Sequence, residues 1–354
     1  MLKKLIKIIG IILLIFIILI LCYVLFMVIT DYRPKPEISL KVENNKSTKV
    51  EPEKDLSLTT FNIGYCGMDK DVDFFMDGGV MSRSISKEKT IENLEGNTKT
   101  IENLNSDFVF LQEVDKKASR SYKVNEYDYM KENLGNDYSF TFAINYKVPW
   151  VPLPITHPHG QVLAGLATLS KYDIESSTRY DLPGKEFWLR QLGDLDRCMM
   201  VNRLPVSNGK ELVLINAHLS AYDKGGKIRK QQLGFISNFL KNEYEKGNYV
   251  IIGGDWNHQI PGTDAFKFPT TEERPDWLQD IPNTVVPNGF KWAYDENIPS
   301  CRTVATPYVK GKNLTAVIDG FLVSDNINIT SVEGTSLDFI YSDHNPVTMR
   351  FKLK

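Results

Sequence analysis

Residues 249–258 read YVIIGGDWNH. An unbroken apolar run that passes through two glycines into polar side chains is the pattern of a strand covered on both faces and ending at a rim. Gly253 and Gly254 let a neighbouring backbone approach closely. Asp255 and Asn257, two apart in an extended segment, point to the same side. A carboxylate and an amide so placed can hold one water and one phosphoryl oxygen, which is what cleaving a phosphate ester requires.

Outward from this stretch the same texture recurs. LSLTTFNIG (56–64), DFVFLQEV (107–114), AGLATLS (164–170), ELVLINAHLS (211–220), AVIDGFLVS (316–324) and NPVTMRFKL (345–353) are short runs rich in Val, Ile, Leu and Phe, bounded by Gly, Asn, Asp or Ser. Such runs predict strands. Helical patterns lie between some of them, over Lys87–Asn105 and Ile228–Tyr244. The expectation is a mixed α/β layered domain without internal repeats.

The polar residues suited to chemistry stand at the ends of these strands. Asn62, Glu113 and Asp343 offer hard oxygen ligands of the kind Mg²⁺ takes. His218 in INAHLS and His344 in YSDHNP are two of five histidines. A carboxylate beside either ring would fix its tautomer and raise its pKa, making it a general acid or a phosphate donor. Asp319, in AVIDGFLVS, stands with them. Singly, each of these residues reads as a turn-former, a cap or a surface carboxylate. Together, on strand ends, they describe one rim.

TTFNIG, LQEVD, AGLATLSKYDI, INAHLSAYD followed by IRKQQL, GGDWN, VIDGFLVS and SDHNPV, in this order, resemble the signature blocks of the endonuclease/exonuclease/phosphatase superfamily, across about residues 56–354. The resemblance implies a four-layered α/β sandwich, two mixed β-sheets face to face with helices outside, and a divalent-metal hydrolytic site on one edge. It implies metal ligation of Mg²⁺ (or Mn²⁺) by Asn62 and Glu113, with Asp343 completing or approaching that site. Asp255 would orient or deprotonate the attacking water, and Asn257 would bind a nonbridging phosphoryl oxygen. His344, oriented by Asp319, would hold the phosphate, and His218 would protonate the leaving group or donate to the phosphate. Arg197 and Arg229 stand near blocks where relatives carry arginine, but each reads equally as a salt bridge, so neither is assigned to the site. His157, His159 and Gly160 read as a loop cap beside the rim.

The chain has 354 residues, 24% charged and 42% hydrophobic, with a formal net charge of -2. That balance excludes coiled-coil, collagen-like and disulfide mini-scaffold classes and advertises no basic footprint for nucleic acid. Cys22, Cys66, Cys198 and Cys301 are scattered without metal-ligand spacing, so neither a disulfide framework nor a zinc site is expected. From Ile8 to Thr30 no residue is charged, and a helix of that length reaches about 35 Å, enough to cross the hydrocarbon layer. The run is too long for a signal-peptide core and lacks a small-residue cleavage site, and Leu21 before Cys22 does not suit a lipoprotein signal. Lys3, Lys4 and Lys7 favour a cytoplasmic N-terminus. The expected organisation is a cytoplasmic tip (1–7), a transmembrane helix (8–30), a linker (31–55) and an extracytoplasmic catalytic domain (56–354).

KVPWVPLPITHPHG (147–160) sets Trp150, Val151, Leu153 and Ile155 among prolines, which bars a helix or a central strand. It reads as a stiff apolar loop that either packs on its own domain or meets the membrane, as an aromatic protrusion does in sphingomyelinase-like relatives. Three functions stand: a membrane-anchored phosphoesterase acting on a lipid or other envelope phosphate, an extracytoplasmic nuclease on DNA or RNA, and a non-catalytic binding module. No obligate protein partner is implied.

Overall fold

Side-chain alternation decides where the core sits. In the stretch around 212–215, Leu212 and Leu214 turn into one apolar cluster while Val213 and Ile215 turn into another. Tyr249 and Ile251 divide from Val250 and Ile252 in the same way, as Phe108 and Phe110 do from Val109 and Leu111. A strand apolar on both faces must be covered on both, and two sheets with outer helices do this.

The computed structural model describes residues 1–223 and 225–354. Among them the strands are β1 (Glu37–Ser39), β2 (Leu56–Asn62), β3 (Phe108–Asp115), β4 (Ser139–Val151), β5 (Gly160–Ser170), β6 (Ser176–Asp181), β7 (Cys198–Pro205), β8 (Glu211–His218), β9 (Tyr249–Asp255), β10 (Phe290–Ala293), β11 (Cys301–Arg302), β12 (Thr315–Ala316), β13 (Asp319–Ser324), β14 (Ile327–Gly334) and β15 (Val347–Leu353). The helices are α1 (Leu2–Thr30), α2 (Lys87–Leu104), α3 (Glu126–Leu134), α4 (Trp188–Gln191) and α5 (Lys227–Glu245). One sheet runs β1-β6-β7-β8-β9-β13-β10, the other β14-β15-β2-β3-β5-β4, and β11-β12 form a small pair. Both large sheets are mixed, with parallel pairs β8/β9 and β2/β3 among antiparallel neighbours. Leu56, Phe110, Leu214, Ile251, Phe321 and Met349 fill the space between them. Leu233, Ile236 and Leu240 of α5 cover one outer face, and Leu94 and Ile101 of α2 with Tyr127 and Met130 of α3 cover the other. This is the expected four-layered sandwich.

The helices start where side chains satisfy their first amides. The Ser86 hydroxyl accepts from the Lys89 N–H at 3.1 Å, and Asn125 Oδ1 accepts from the Asp128 N–H at 3.1 Å. The four cysteines are free thiols.

Two segments differ from expectation in their form. Lys147–Val151 continues β4 rather than lying wholly in a loop, because β4 is an edge strand, interrupted by bulges, where Pro149 removes no ladder hydrogen bond the sheet depends on. The stretch 31–55 is fastened to the domain: β1 pairs with β6, Glu43 bridges Phe140, and the Val50 side chain is fully buried in the central core. One helix, Leu2–Thr30, is long and apolar enough to cross a membrane, with mean hydropathy 3.5 over its best window.

Candidate active site

The two sheets bring their strand ends to one edge of the sandwich. Across β8, β9 and β13 the register places His218 opposite Asp255 and Asp255 opposite Asp319, so three polar side chains stand side by side. From the other sheet, β2 ends at Asn62, and β3 carries Glu113 where its register with β5 shifts. Glu113 has a φ of +55°, a left-handed conformation sustained by that irregularity, and it turns the carboxylate toward the rim. Two glycines make the approach possible. A Cβ on Gly254, at φ +141°, would meet the Ala217 carbonyl oxygen at 1.9 Å, and one on Gly64, at φ +51°, would meet Asp343 Oδ1 at 2.8 Å.

Asp255 is the hub. Its Oδ2 accepts from Asn62 Nδ2 at 3.0 Å and lies 3.4 Å from His218 Nε2 and 3.6 Å from His344 Nε2. Its Oδ1 accepts from the Asn257 N–H at 2.8 Å. His344 Nδ1 lies 2.8 Å from Asp319 Oδ2. Asp255, Asp319 and His344 form a group close enough to share an ion, their candidate ligand atoms lying within 4.8 Å of one another. Because the His344 nitrogen nearest Asp319 is committed to that carboxylate, the trio reads first as an acid–imidazole–acid chain.

The protonation states follow from burial and neighbours. Burial pushes the Asp255 carboxyl up, His344 and the amide donors pull it back, Asp319 pushes again, and it titrates at about 6. Burial alone would lower the His344 pKa. The carboxylate of Asp319, the Cys301 sulfur and Asp255 outweigh it and hold the imidazole well above its ordinary value, so the ring is an imidazolium at neutral pH. His218 goes the other way: burial, then the positive charges of Arg197, His344 and Arg120, keep it neutral. The expectation that a nearby carboxylate raises both histidines therefore holds for His344 and fails for His218, where burial comes first and the charges of Arg197, His344 and Arg120 add to it.

Glu113 and Asp343 line the same cavity, and burial followed by the Asp343 charge raises the Glu113 carboxyl against the pull of Arg120. Two acidic oxygens facing a buried space with incomplete compensation fit a hard divalent cation. Asn62 presents its NH₂ to Glu113 at 3.4 Å and to Asp255, while its Oδ1 accepts from the Gly64 N–H at 3.0 Å. An ion would share that oxygen with Gly64 or turn the amide over.

Besides its N–H bond to Asp255, Asn257 is held by two further contacts: its Nδ2 donates to the Leu219 carbonyl at 2.8 Å, and the Arg229 guanidinium donates to its carbonyl. Arg229 is fully buried and also reaches the Trp277 and Asp223 carbonyls, so it braces the loop rather than facing substrate. Arg197 lines the cavity, and its Nη1 is buried without a partner among the described residues, which suits a phosphate donor. Arg120 was invisible in the sequence. Its guanidinium donates to Asp115 at 2.9 Å, lies 3.7 Å from Glu113 and sits over the Tyr65 ring at 4.0 Å, fixing Glu113 from behind. Nothing in ASRSY, on a turn after β3, signals this. His159 is buried, with Nδ1 at 2.7 Å from the Ser82 carbonyl, and burial and Arg120 press its pKa down to about 3; it is a neutral strut of the cavity wall.

The family model described as "Endonuclease/Exonuclease/phosphatase family" matches residues 60–344. No curated protein sequence matches the chain. Among solved structures, an endonuclease/exonuclease/phosphatase from Beutenbergia cavernae DSM 12333 superposes with TM-score 0.59 at 17% identity, covering 85% of this chain and 72% of that one. The catalytic domain of human Nocturnin with bound sulfate superposes with TM-score 0.54 at 17% identity, covering 89% and 97%. TDP2 from D. rerio, complexed with single-strand DNA product, superposes with TM-score 0.53 at 16% identity, covering 85% and 100%. At such identities the superpositions speak for the shared fold.

Proposed function

The chain belongs to the endonuclease/exonuclease/phosphatase family, and from that premise we propose that it is a membrane-anchored, divalent-metal-dependent phosphodiester hydrolase acting outside the cytoplasm. The observation that carries this reading is the convergence on one cavity of Asp255, of His344 at 3.6 Å from it and backed by Asp319 at 2.8 Å, and of two further carboxylates, Glu113 and Asp343. Water attacks phosphorus in line. Its proton passes to Asp255 as the new P–O bond forms, and the ester P–O bond breaks on the opposite side. The His344 imidazolium, held by Asp319, and the Asn257 amide stabilise charge on the phosphoryl oxygens. His218, neutral and buried, donates a hydrogen bond. The alkoxide takes its proton from His344 or from water.

Glu113 and Asp343, with Asn62, would hold Mg²⁺ (or Mn²⁺), which when bound supplies Lewis-acid stabilisation of the phosphoryl group. Lys3, Lys4 and Lys7 favour a tip in the cytoplasm, with the catalytic domain outside.

A second reading, an extracytoplasmic nuclease, is favoured by the likeness to a fold that in D. rerio TDP2 is complexed with single-strand DNA product. The full chain in detergent, supplied with Mg²⁺, is assayed on phospholipid vesicles, plasmid DNA, RNA and bis-p-nitrophenyl phosphate, with Asp255→Ala as the blank. Hydrolysis that needs metal and Asp255 supports the phosphoesterase. Cleavage of nucleic acid alone replaces the lipid reading with the nuclease, and EDTA-resistant turnover removes the metal.

A further inference from the structure

The helix α1 does not stand apart from the domain. Along its length the side chains are exposed until Tyr23, Val24, Met27 and Val28, which withdraw together. The spacing i, i+1, i+4, i+5 is one helical face. That face is seated on the domain: Met27 is buried, and Tyr23 Oη donates to the Trp150 carbonyl at 3.0 Å. Tyr23, Val24 and Met27 line the same cavity of about 450 Å³ whose floor is Asp255, His218, Asn257 and His344. The outer end of the membrane helix is thus one wall of the catalytic cavity.

The depth of that wall follows from the helix. About 20 residues cross a hydrocarbon layer of about 30 Å, so counted from Ile8 the layer ends near residue 27. The cavity therefore opens at the boundary between acyl chains and headgroups. Two apolar ledges stand at the mouth. Trp150, Leu153 and Ile155, the last 85% exposed, form one; Phe187, Trp188 and Leu189, at the start of α4, form the other. Leu153, Leu189 and Leu192 continue the cavity wall inward. Exposed tryptophans and aliphatic side chains at this depth suit a bilayer surface rather than water.

We infer that α1 is a specificity element of the active site and that the substrate is a lipid phosphodiester drawn sideways from the outer leaflet. Its phosphate reaches Asn257 and Arg197 while its hydrocarbon chain lies against Val24 and Met27. The inference rests on the phosphoesterase reading and on retention of α1 in the mature protein.

The test uses the full chain carrying Asp255→Asn, reconstituted into phosphatidylethanolamine vesicles with phosphatidylglycerol that bears a diazirine near the ester end of one acyl chain. Photolysis is expected to label the segment 191–195, which lies inward of the exposed ledge and which bulk lipid reaches poorly. Excess phosphatidylglycerol should compete at least about tenfold better than water-soluble glycerophosphoglycerol, a factor worth 1.4 kcal/mol. Val24→Trp should abolish this labelling, and Leu25→Trp, on the exposed face of α1, should not. If Val24→Trp fails to insert, Leu153→Glu at the exposed rim serves in its place. Equal labelling in these variants, equal competition by the soluble head group, or a purified chain that begins beyond Thr30 overturns the inference. Metal-dependent hydrolysis of bis-p-nitrophenyl phosphate by the chain with native Asp255, read in parallel, separates the two claims. Hydrolysis without the labelling pattern removes only the lipid inference, whereas labelling without any hydrolysis removes the enzyme.

Discussion

Replacing Asp319 by Asn tests the account where charge and geometry are most tightly joined. The side chain keeps its size, and the Asp319 N–H keeps its bond to Ser300 Oγ, so the strand has no reason to move. What changes is the partner of His344 Nδ1 at 2.8 Å. A hydrogen bond to a charged, buried group contributes about 1.5–3 kcal/mol, and each 1.36 kcal/mol is tenfold in rate. The expected fall in kcat is therefore about 10- to 150-fold. The pH profile should move as well. Asp319 is the leading cause that raises His344, so without it the imidazolium is lost at lower pH and the alkaline limb shifts down. Burial is the main reason Asp255 is raised to about 6 and the Asp319 charge adds to it, so without that charge the acid limb shifts down as well. Initial rates on bis-p-nitrophenyl phosphate, with saturating Mg²⁺, give both limbs. A variant with wild-type kcat and an unmoved profile would refute the dyad.

Three further outcomes are expected. Glu113→Gln should raise the Mg²⁺ concentration at half-maximal rate by at least about tenfold, about 1.4 kcal/mol of binding, measured by metal titration; an unchanged titration removes Glu113 from the metal site. Glu243 is buried, yet its bonds to Arg203, Lys246 and Asn248 hold its carboxyl at about 2, below the ordinary 4.5. A depressed carboxyl stabilises the fold above its unfolded pKa and loses that contribution as pH falls through its folded one, so Glu243→Gln should cost about 3 kcal/mol at pH 7 and progressively less below about pH 4.5; urea midpoints across that range decide, and a gap independent of pH would exclude the charge as its origin. Phe110→Ala, fully buried between the sheets, should cost about 3–5 kcal/mol in the same assay, and a loss below 1 kcal/mol would mean that the sheets do not pack as described.

The strands that carry the site were legible because both of their faces are buried. β9 reads as an apolar run that stops abruptly at Asp255, and β8 as the apolar run Leu212–Ile215 followed by Asn216 and His218; composition marks both stops. Helices α2 and α5 came within a residue or so of their expected ends. β4 was hidden by Pro149 and its polar residues, which an edge strand tolerates, β7 shows only four apolar residues before Asn202, and β14 lacks an unbroken apolar run. Of the site, strand ends and family blocks indicated the residues that meet around Asp255. They did not indicate Arg120, whose place depends on ion pairs formed only when the turn after β3 closes under Glu113. The opposed charge states of His218 and His344 were equally hidden, because both stand beside Asp255 and only the surrounding arginines and Asp319 separate them. Val50 in a polar linker and Tyr23 in an apolar helix owe their roles to contacts far away in sequence.

The central claim is that water, aided by Asp255, is added to phosphorus in this cavity. Hydrolysis of bis-p-nitrophenyl phosphate in water enriched in oxygen-18, followed by mass spectrometry of both products, tests it directly. The account predicts the label in the phosphoryl product, none in p-nitrophenol, and no labelled product from Asp255→Asn beyond the uncatalysed background. Label in the phenol, or undiminished labelling with Asp255→Asn, would contradict it.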